Sequence, residues 1–526
     1  MRIGVDVGGT NTDAALMNGD HVLASCKQPT TKNVSDGIIN AVKTILNESG
    51  VKPAEIQCVM IGTTHFTNAF VERNQLLEVG VVRICLPAAQ GIPPLLDWPE
   101  DLLTKIGRHT YIIQGGYQFD GRLNSPLDEQ AIIDCAKDLK SKGIKTVAIT
   151  GLFSTINGEM ELRAEELIRQ EMGDVSISLS HKVGRSGILE RENATVMNAC
   201  LAQLSSHVVN AFRDALNQLE IKAAFYISQN DGTLMTADYV EKYPVLTFAS
   251  GPTNSMRGAA YLSGLKDALV ADIGGTTTDI GMLTSGFPRE SSVTVDIGGV
   301  RTNFRMPDVL ALGLGGGTVI TPNDDDTLQI GPQSVGYQLL EKSKVFGGDT
   351  LTTTDIAVAA GYADIGDKTK VANLPTPFIK QAVEQMHKIV DDGVDRMKTS
   401  ADPMPLILVG GGSVLINREI DGISEIIVPE HAGVANAIGA SIAQVAGEID
   451  TVISYDNVGR DHAIEQTKAE AIAQAVSLGA IEDTIVFLDI DETPLAYAPD
   501  GAVRLRVKVA GDLNVITTAT DALSKK

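Results

Sequence analysis

The residues best suited to chemistry come as a repeated octapeptide. Residues 6–13 read DVGGTNTD and residues 272–279 read DIGGTTTD, identical at six of eight positions. Two adjacent glycines after a strand let the backbone approach a ligand closely and turn its N–H groups outward, which is how an uncharged turn cradles a phosphate. Gly8, Gly9, Gly274 and Gly275 would supply those amides, and Thr10, Asn11, Thr12, Thr276, Thr277 and Thr278 add side-chain donors. Asp6 and Asp272 end the strands that lead into the turns, where carboxylates aimed at one cleft suit hydrated Mg²⁺ bridging phosphates. Asp13 and Asp279 lie seven residues further on; strand counting leaves their facing open, and Asp279 joins Asp6 and Asp272 as a candidate metal ligand. A third glycine turn, Gly410, Gly411 and Gly412, follows the apolar run PLILV. A near-copy from Asp296, DIGGVRTN, lacks the threonine after the glycines and the second acidic residue, so an ordinary hairpin is expected there.

The elements that must position these turns are short apolar or β-branched runs closed by glycine, among them MRIGVDV, IQCVMIG, TVAITGLF, ALVADIGG and PLILVGGG. Helical patterns alternate with them: DEQAIIDCAKDLKSKG opens on acidic residues and closes on Lys and Gly, and GEMELRAEELIRQEMG ends on Gly173. Such alternation predicts an α/β protein with largely covered sheets. Because each octapeptide is followed by enough chain for a domain, the expectation is two related α/β domains facing one cleft. The divisions expected are residues 1–180, 181–450 and a small α+β module at 451–526, whose alternating stretch DTIVFLDIDETPLAYAPDGAVRLRVKVAGDL predicts a small antiparallel sheet.

Composition narrows the partners. A 526-residue chain with a formal net charge of −23 would be repelled by nucleic-acid backbones and anionic membranes, so neither is expected as a partner. The absence of a basic leader and of any run of eighteen apolar residues makes a cytoplasmic protein the expectation. Five cysteines without a CxxC pair indicate neither a disulfide framework nor a zinc cluster.

Two phosphate turns and a later Gly-Gly-Gly strand end resemble the actin, sugar-kinase and Hsp70 ATPase superfamily. The resemblance implies two actin-like (ribonuclease H-like) ATPase domains, with the first two turns on the β- and γ-phosphates and the third against adenosine. Within it, GTTHFTNAFVERN, GLFSTINGEMELRAEEL, SLSHKVGRSGILERENATVMNACL, LGLGGGTV and GPQSVG resemble the hydantoinase A and 5-oxoprolinase family, from the N-terminus to about residue 445. What that implies is an ATP- and Mg²⁺-dependent hydrolase opening a cyclic amide after phosphorylation of the amide oxygen. Phosphorylation removes the resonance that makes an amide a poor electrophile, and transfer itself needs positioning and charge neutralisation. The implied partners are a small cyclic amide and a separate hydantoinase B-type subunit; a homo-oligomer is a further option. Two alternatives stand beside it: a carboxylase subunit that activates bicarbonate and a ketone enol, and an ATP-driven chaperone of the same superfamily.

Three features depart from the family pattern: Leu310 where a histidine commonly precedes the glycines, YQLLEKSKVFGGDTLTTTD after GPQSVG, and His65 where longer members carry an apolar residue. His65, amid Thr63, Thr64, Thr67 and Asn68, is a candidate catalytic base alongside Asp6 and Asp272, the alternative being a hydrogen-bonded histidine lining a turn. Asp308 and Asp355 could orient substrate, or simply end a strand and cap a helix. Close helix packing is expected after His431, a solvated helix start at Glu190, Arg191 and Glu192, and a turn tip at the triple aspartate of residues 324–326.

Overall fold

The structure, a computed structural model, describes the chain except residues 10, 31–33, 186, 292–293, 324–326, 496–500 and 515–526. Thr10 and the triple aspartate therefore lie outside the described residues.

Each octapeptide forms a tight antiparallel hairpin at the centre of its own sheet. In the first, Arg2–Val7 pairs with Asn11–Asn18, and Gly8 N–H donates to Asn11 O at 3.0 Å across the turn. In the second, Ala268–Ile273 pairs with Thr278–Thr284, and Gly274 N–H donates to Thr277 O at 2.9 Å. The registers match: Asp6 stands opposite Asp13, and Asp272 opposite Asp279. This settles the facing that strand counting left open, because a four-residue turn returns the second carboxylate to the position across from the first.

The sheets extend alike. The first runs Leu234–Thr236, Ala224–Ser228, Cys58–Thr63, Arg2–Val7, Asn11–Asn18, His21–Pro29, with the three strands from Ala224–Ser228 to Arg2–Val7 parallel. The second runs Phe287–Pro288, Thr278–Thr284, Ala268–Ile273, Met404–Val409, Ile423–Ile427, again with parallel strands beyond the hairpin. Both central strands are apolar on both faces, as a covered sheet requires. Two strands of the first sheet come from beyond residue 180, so a division at that residue falls within the stretch this sheet spans. Between Cys58–Thr63 and Ala224–Ser228 the chain builds a separate parallel sheet, His109–Gln114, Gly80–Leu86, Thr146–Gly151, Ser176–Leu179, with its own apolar core. The near-copy at Asp296 is the hairpin expected, Val295–Ile297 with Val300–Thr302, turning through Gly298 and Gly299 at φ 60° and 89°.

Two helices join the halves. Ser250–Ser263 and Ala435–Ser441 cross so closely that a Cβ on Gly258 would overlap Ala435 O and one on Gly439 would overlap Asn254 O. A Cβ on Gly4 would overlap Ala437 O, so the second of these helices lies directly on the central strand of the first sheet. This is the close packing expected of the small residues after His431, which itself is exposed at a left-handed φ of 63°. The C-terminal module is a three-stranded antiparallel sheet, Val445–Ser454, Ala502–Gly511, Val486–Pro494, backed by the helix Arg460–Ser477. All five cysteines are unpaired, four of them buried. Among the described residues no helix is long and apolar enough to cross a membrane.

Candidate functional site

The four hairpin aspartates converge between the halves, and residues of the joining helices reach them. Asn254 Nδ2 points at Asp6 Oδ1 at 3.5 Å, while its neighbour Ser255 hydrogen-bonds Asp272, so consecutive residues of one helix serve both carboxylates. Asn436 Nδ2, from the other helix, donates to Asp6 Oδ2 at 3.0 Å and Asp13 Oδ2 at 2.8 Å. Lys27 Nζ pairs with Asp13 Oδ2 at 2.6 Å.

Crowding of carboxylates shows in their acidity. Burial, with the Asp13 charge beside it, pushes Asp6 up from 3.8 to about 6, the Asn254 and Asn436 amides opposing the rise. Burial and the Asp272 charge push Asp279 up to about 7. Asp272 and Asp13 are likewise raised by burial, Asp13 being restrained by Lys27. Groups whose ionisation is opposed first by burial and then by neighbouring carboxylates make a site short of positive charge.

The turns provide space for an anion. A Cβ on Gly275 or Gly411 would meet nothing within 4 Å, and one on Gly9 only Asn68 Nδ2 at 3.6 Å. Thr276 and Thr277 are exposed at the second turn, and Asn11 is half-buried at the first. Thr12 and Thr278 sit deeper. Thr12 Oγ1 lies 3.3 Å from Thr30 Oγ1, and Thr278 Oγ1 donates to Leu314 O at 2.6 Å, so both buried hydroxyls pin the hairpin from within.

Glycine-rich loops brace the second turn from two sides. Gly316 N–H donates to Gly274 O at 3.0 Å and Gly317 N–H to Gly275 O at 2.7 Å. From the other side Gly412 N–H donates to Ile273 O at 2.7 Å, and Gly410, at φ 84°, lies where any Cβ would overlap Asp272 Oδ1. Thr353 and Thr354 hydroxyls hold the carbonyls of Gly315 and Gly316.

Whether these residues suit Mg²⁺ is decided by the donor set. Among the described residues no group of three or more His, Cys, Asp or Glu side chains is arranged to hold a metal by itself. Asp6, Asp272 and Asp279 do fit a cation whose shell is completed by phosphate oxygens and water, which is how Mg²⁺ is usually bound beside a nucleotide. Asp13 Oδ1 and Asn254 Oδ1, buried with no partner among the described residues, add acceptors with unused capacity.

His65 opens the helix His65–Val71 directly after the strand Cys58–Thr63, one strand along from Val7. Its Nδ1 lies 2.9 Å from Thr63 Oγ1, and burial pushes its pKa below the usual imidazole value, favouring the neutral ring. It flanks the first turn, with Thr64 N–H donating to Val7 O at 3.3 Å. Asp355 is a structural hub: fully buried, it accepts from Ser343 Oγ, Val345 N and Thr352 N at 2.7–2.8 Å and completes the capping box of the helix Thr353–Ala359, whose N-cap is Thr352. Asp308 pairs with Arg289 at 2.6 Å, outside the carboxylate cluster.

The solvated helix start expected at residues 190–192 is overturned for two of its three residues. Glu192 and Arg191 are buried: Glu192 clasps Arg83 through two bonds of 2.6 and 2.7 Å, and Arg191 donates to Ser180 Oγ and Gly151 O. Their partners come from the separate parallel sheet, which a local helix-start pattern cannot reveal. Asn254, Ser255, Asn436 and Lys27 were also missed; they lie in GPTNSM, VANAIGA and SCKQP, where only small-residue helices or a strand are visible.

Two sheets of one topology, facing through paired Asp-Gly-Gly hairpins and joined by two crossing helices, define the actin-like ATPase class of α/β fold. The chain belongs to the hydantoinase/oxoprolinase family. Residues 2–172 match the hydantoinase/oxoprolinase N-terminal region and residues 191–367 the hydantoinase/oxoprolinase domain, together well over half of the chain. It is 28% identical over 502 residues to the caprolactamase subunit alpha of Pseudomonas jessenii, covering 84% of this chain and 70% of that one. It is 27% identical over 397 residues to the acetophenone carboxylase gamma subunit of Aromatoleum aromaticum, covering 68% and 53%. The crystal structure of the ATP-dependent caprolactamase from Pseudomonas jessenii superposes with a TM-score of 0.76 at 20% identity, over 97% of this chain and 87% of that one.

Proposed function

We propose that this chain is the ATP-hydrolysing, phosphoryl-transferring subunit of an enzyme that opens a small cyclic amide. The observation that carries the reading is the paired hairpins, whose aspartates converge in identical register beneath glycine turns open to an anion. The amides at Gly8, Gly9, Gly274 and Gly275 would cradle the phosphates, and the turn at Gly410, Gly411 and Gly412 would flank adenosine. Asp6, Asp272 and Asp279 would hold Mg²⁺, which supplies charge neutralisation at the phosphates. The helix residues Asn254, Ser255 and Asn436 fix the carboxylates, so that little reorganisation is needed when charge builds up during transfer. His65, beside the first turn, is placed to exchange a proton near the transferred group. The names of both relatives, each a subunit, support a hydantoinase B-type partner.

A second reading is a carboxylase subunit that phosphorylates bicarbonate or a ketone enol, favoured by the similarity to the acetophenone carboxylase gamma subunit. The test is ATP turnover by the purified chain with Mg²⁺, alone and with hydantoins, 5-oxoproline, caprolactam and simple ketones. Stimulation by a cyclic amide that disappears in Asp272→Ala is expected. Stimulation by ketones with bicarbonate alone would replace this reading with the second, and absence of nucleotide binding would overturn both.

A further inference from the structure

A cavity of about 860 Å³ opens at the carboxyl end of the first sheet, between its edge strand, the separate parallel sheet's last segment and the C-terminal module. Gln229 and Asn230, on its wall, follow the strand Ala224–Ser228, two strands along from Arg2–Val7. At the usual strand spacing that is about 10 Å across the sheet from the first glycine turn. The wall is apolar at Tyr226, Met235, Leu246 and Phe304, and His181 stands on it.

His181 is held in the manner of a general base. Its Nδ1 lies 2.6 Å from Glu161 Oε2, and its ring packs over Gly158, where a Cβ would press on it at 3.0 Å. Glu161 is itself fully buried and accepts from Gly151 N at 2.7 Å, Ser180 Oγ at 2.5 Å and His181 N at 3.2 Å. Burial opposes its ionisation, yet the His181 and Ser180 bonds leave it more acidic than usual, so it stays a carboxylate. An acceptor at Nδ1 fixes the tautomer with the proton there and leaves the Nε2 lone pair free. Among the described residues Nε2 has no hydrogen-bond partner. The charged groups lining the cavity with His181 are Lys182 and Arg185 on its own segment, Asp231 and Arg305, and Glu448, Asp450 and Arg504 of the C-terminal module, while Arg191 beneath it is bound to Ser180.

Both readings of the function need such a base. Phosphorylating an amide oxygen to a neutral imidate requires loss of the N–H proton; phosphorylating a ketone to an enol phosphate requires loss of an α-proton. In each case the proton leaves an atom one bond from the carbonyl carbon.

Resting on the phosphoryl-transfer reading, we propose that this cavity binds the small carbonyl substrate and that His181 Nε2, positioned by Glu161, is the catalytic base that removes its proton. For a lactam, the carbonyl oxygen bonds to the γ-phosphorus as the bond to the ADP bridging oxygen breaks and ADP leaves with that electron pair. The N–H proton passes to His181 Nε2, and its electron pair forms the C=N bond of the imidate phosphate. Glu161 is a positioning residue, and His65 keeps its place beside the nucleotide turn.

The test uses the full chain labelled with ¹⁵N-histidine, His181 being assigned by its loss in His181→Gln. The resonance of the neutral ring is expected to report the Nδ1–H tautomer and to shift on titration with caprolactam or hydantoin. His181→Gln should lower amide-stimulated ATP turnover about 100-fold or more, as removal of a general base does, while leaving nucleotide affinity unchanged. Glu161→Gln should move the pH profile of the residual turnover. An Nε2–H tautomer, a resonance indifferent to every cyclic amide and ketone tried, or wild-type turnover in His181→Gln would each overturn the proposal. If no compound stimulates turnover in the unaltered chain, the phosphoryl-transfer reading fails, while the titration still decides whether the cavity binds carbonyl compounds.

Discussion

The two hairpins share a sequence and a register but not their surroundings. At the first, Asp6 and Asp13 are buried under two asparagine amides and a lysine. At the second, Asp272 takes a hydrogen bond from Ser255 and neither Asp272 nor Asp279 pairs with a cation among the described residues, while the turn itself is braced by the loops around residues 315–317 and 410–412. The first half thus directs more side-chain donors at its carboxylates, and the second more backbone bonds at its turn. One motif written twice is held by different neighbours in its two copies.

The strongest way to break this comparison is to remove a carboxylate on each side. Asp6→Asn and Asp272→Asn are each expected to lower ATP turnover by about 100-fold or more, as loss of one electrostatic group at a transfer site does. Equal and small effects in steady-state assays would contradict the division. Asp6→Asn should at the same time raise apo stability at pH 8, because an amide there escapes the burial penalty and the Asp13 repulsion that raise the pKa of Asp6; chemical denaturation measures it.

Glu192→Ala comes next. Leaving Arg83 buried and unpaired should cost about 3–5 kcal/mol in denaturation and loosen the separate parallel sheet before the paired hairpins, which hydrogen exchange would resolve.

Two glycines sharpen the platform half. Gly410→Ala forces a Cβ onto Asp272 at a left-handed φ and should destabilise the protein by about 1–3 kcal/mol. Gly275→Ala meets open space, so it should leave stability within about 1 kcal/mol and weaken nucleotide binding alone, as calorimetry would show.

The smallest effect is on pH dependence. Asp6 and Asp279 keep their protons up to about pH 6 and 7 when folded, against 3.8 when unfolded. The folded state therefore binds more protons in that interval, and apo stability should fall as pH rises from about 4 to 7. Asp279→Asn should flatten the upper part of the fall, and added Mg²⁺ with nucleotide should reverse it by favouring the ionised carboxylates.

Much of this was legible in the chain because a hairpin is local. The octapeptide, its turn glycines and the strand before Gly410 are contiguous signals that carry the superfamily resemblance, and the family resemblance rests on longer contiguous stretches such as GTTHFTNAFVERN. What stayed hidden depends on closure over long separations. Asn254 and Asn436 meet Asp6 from 248 and 430 residues away, on helices whose sequences show only small residues. Arg191 and Glu192 look like a polar helix start because their partners are distant in sequence: Arg83 and Gly151 in the separate parallel sheet and Ser180 just after its last strand. Asp355, legible as a helix N-cap or a substrate ligand, lies instead three residues past the N-cap Thr352, and is buried because Ser343 and Val345 fold back onto it.

The repeated turn is proposed to bind one nucleotide between the two halves. Titration calorimetry of ATP with Mg²⁺ into the full chain, with Asp6→Asn and Asp272→Asn beside it, reads this without the chemistry. One site per chain, weakened by either substitution, is expected. Binding that survives both substitutions unchanged, or no binding by the unaltered chain, would contradict it.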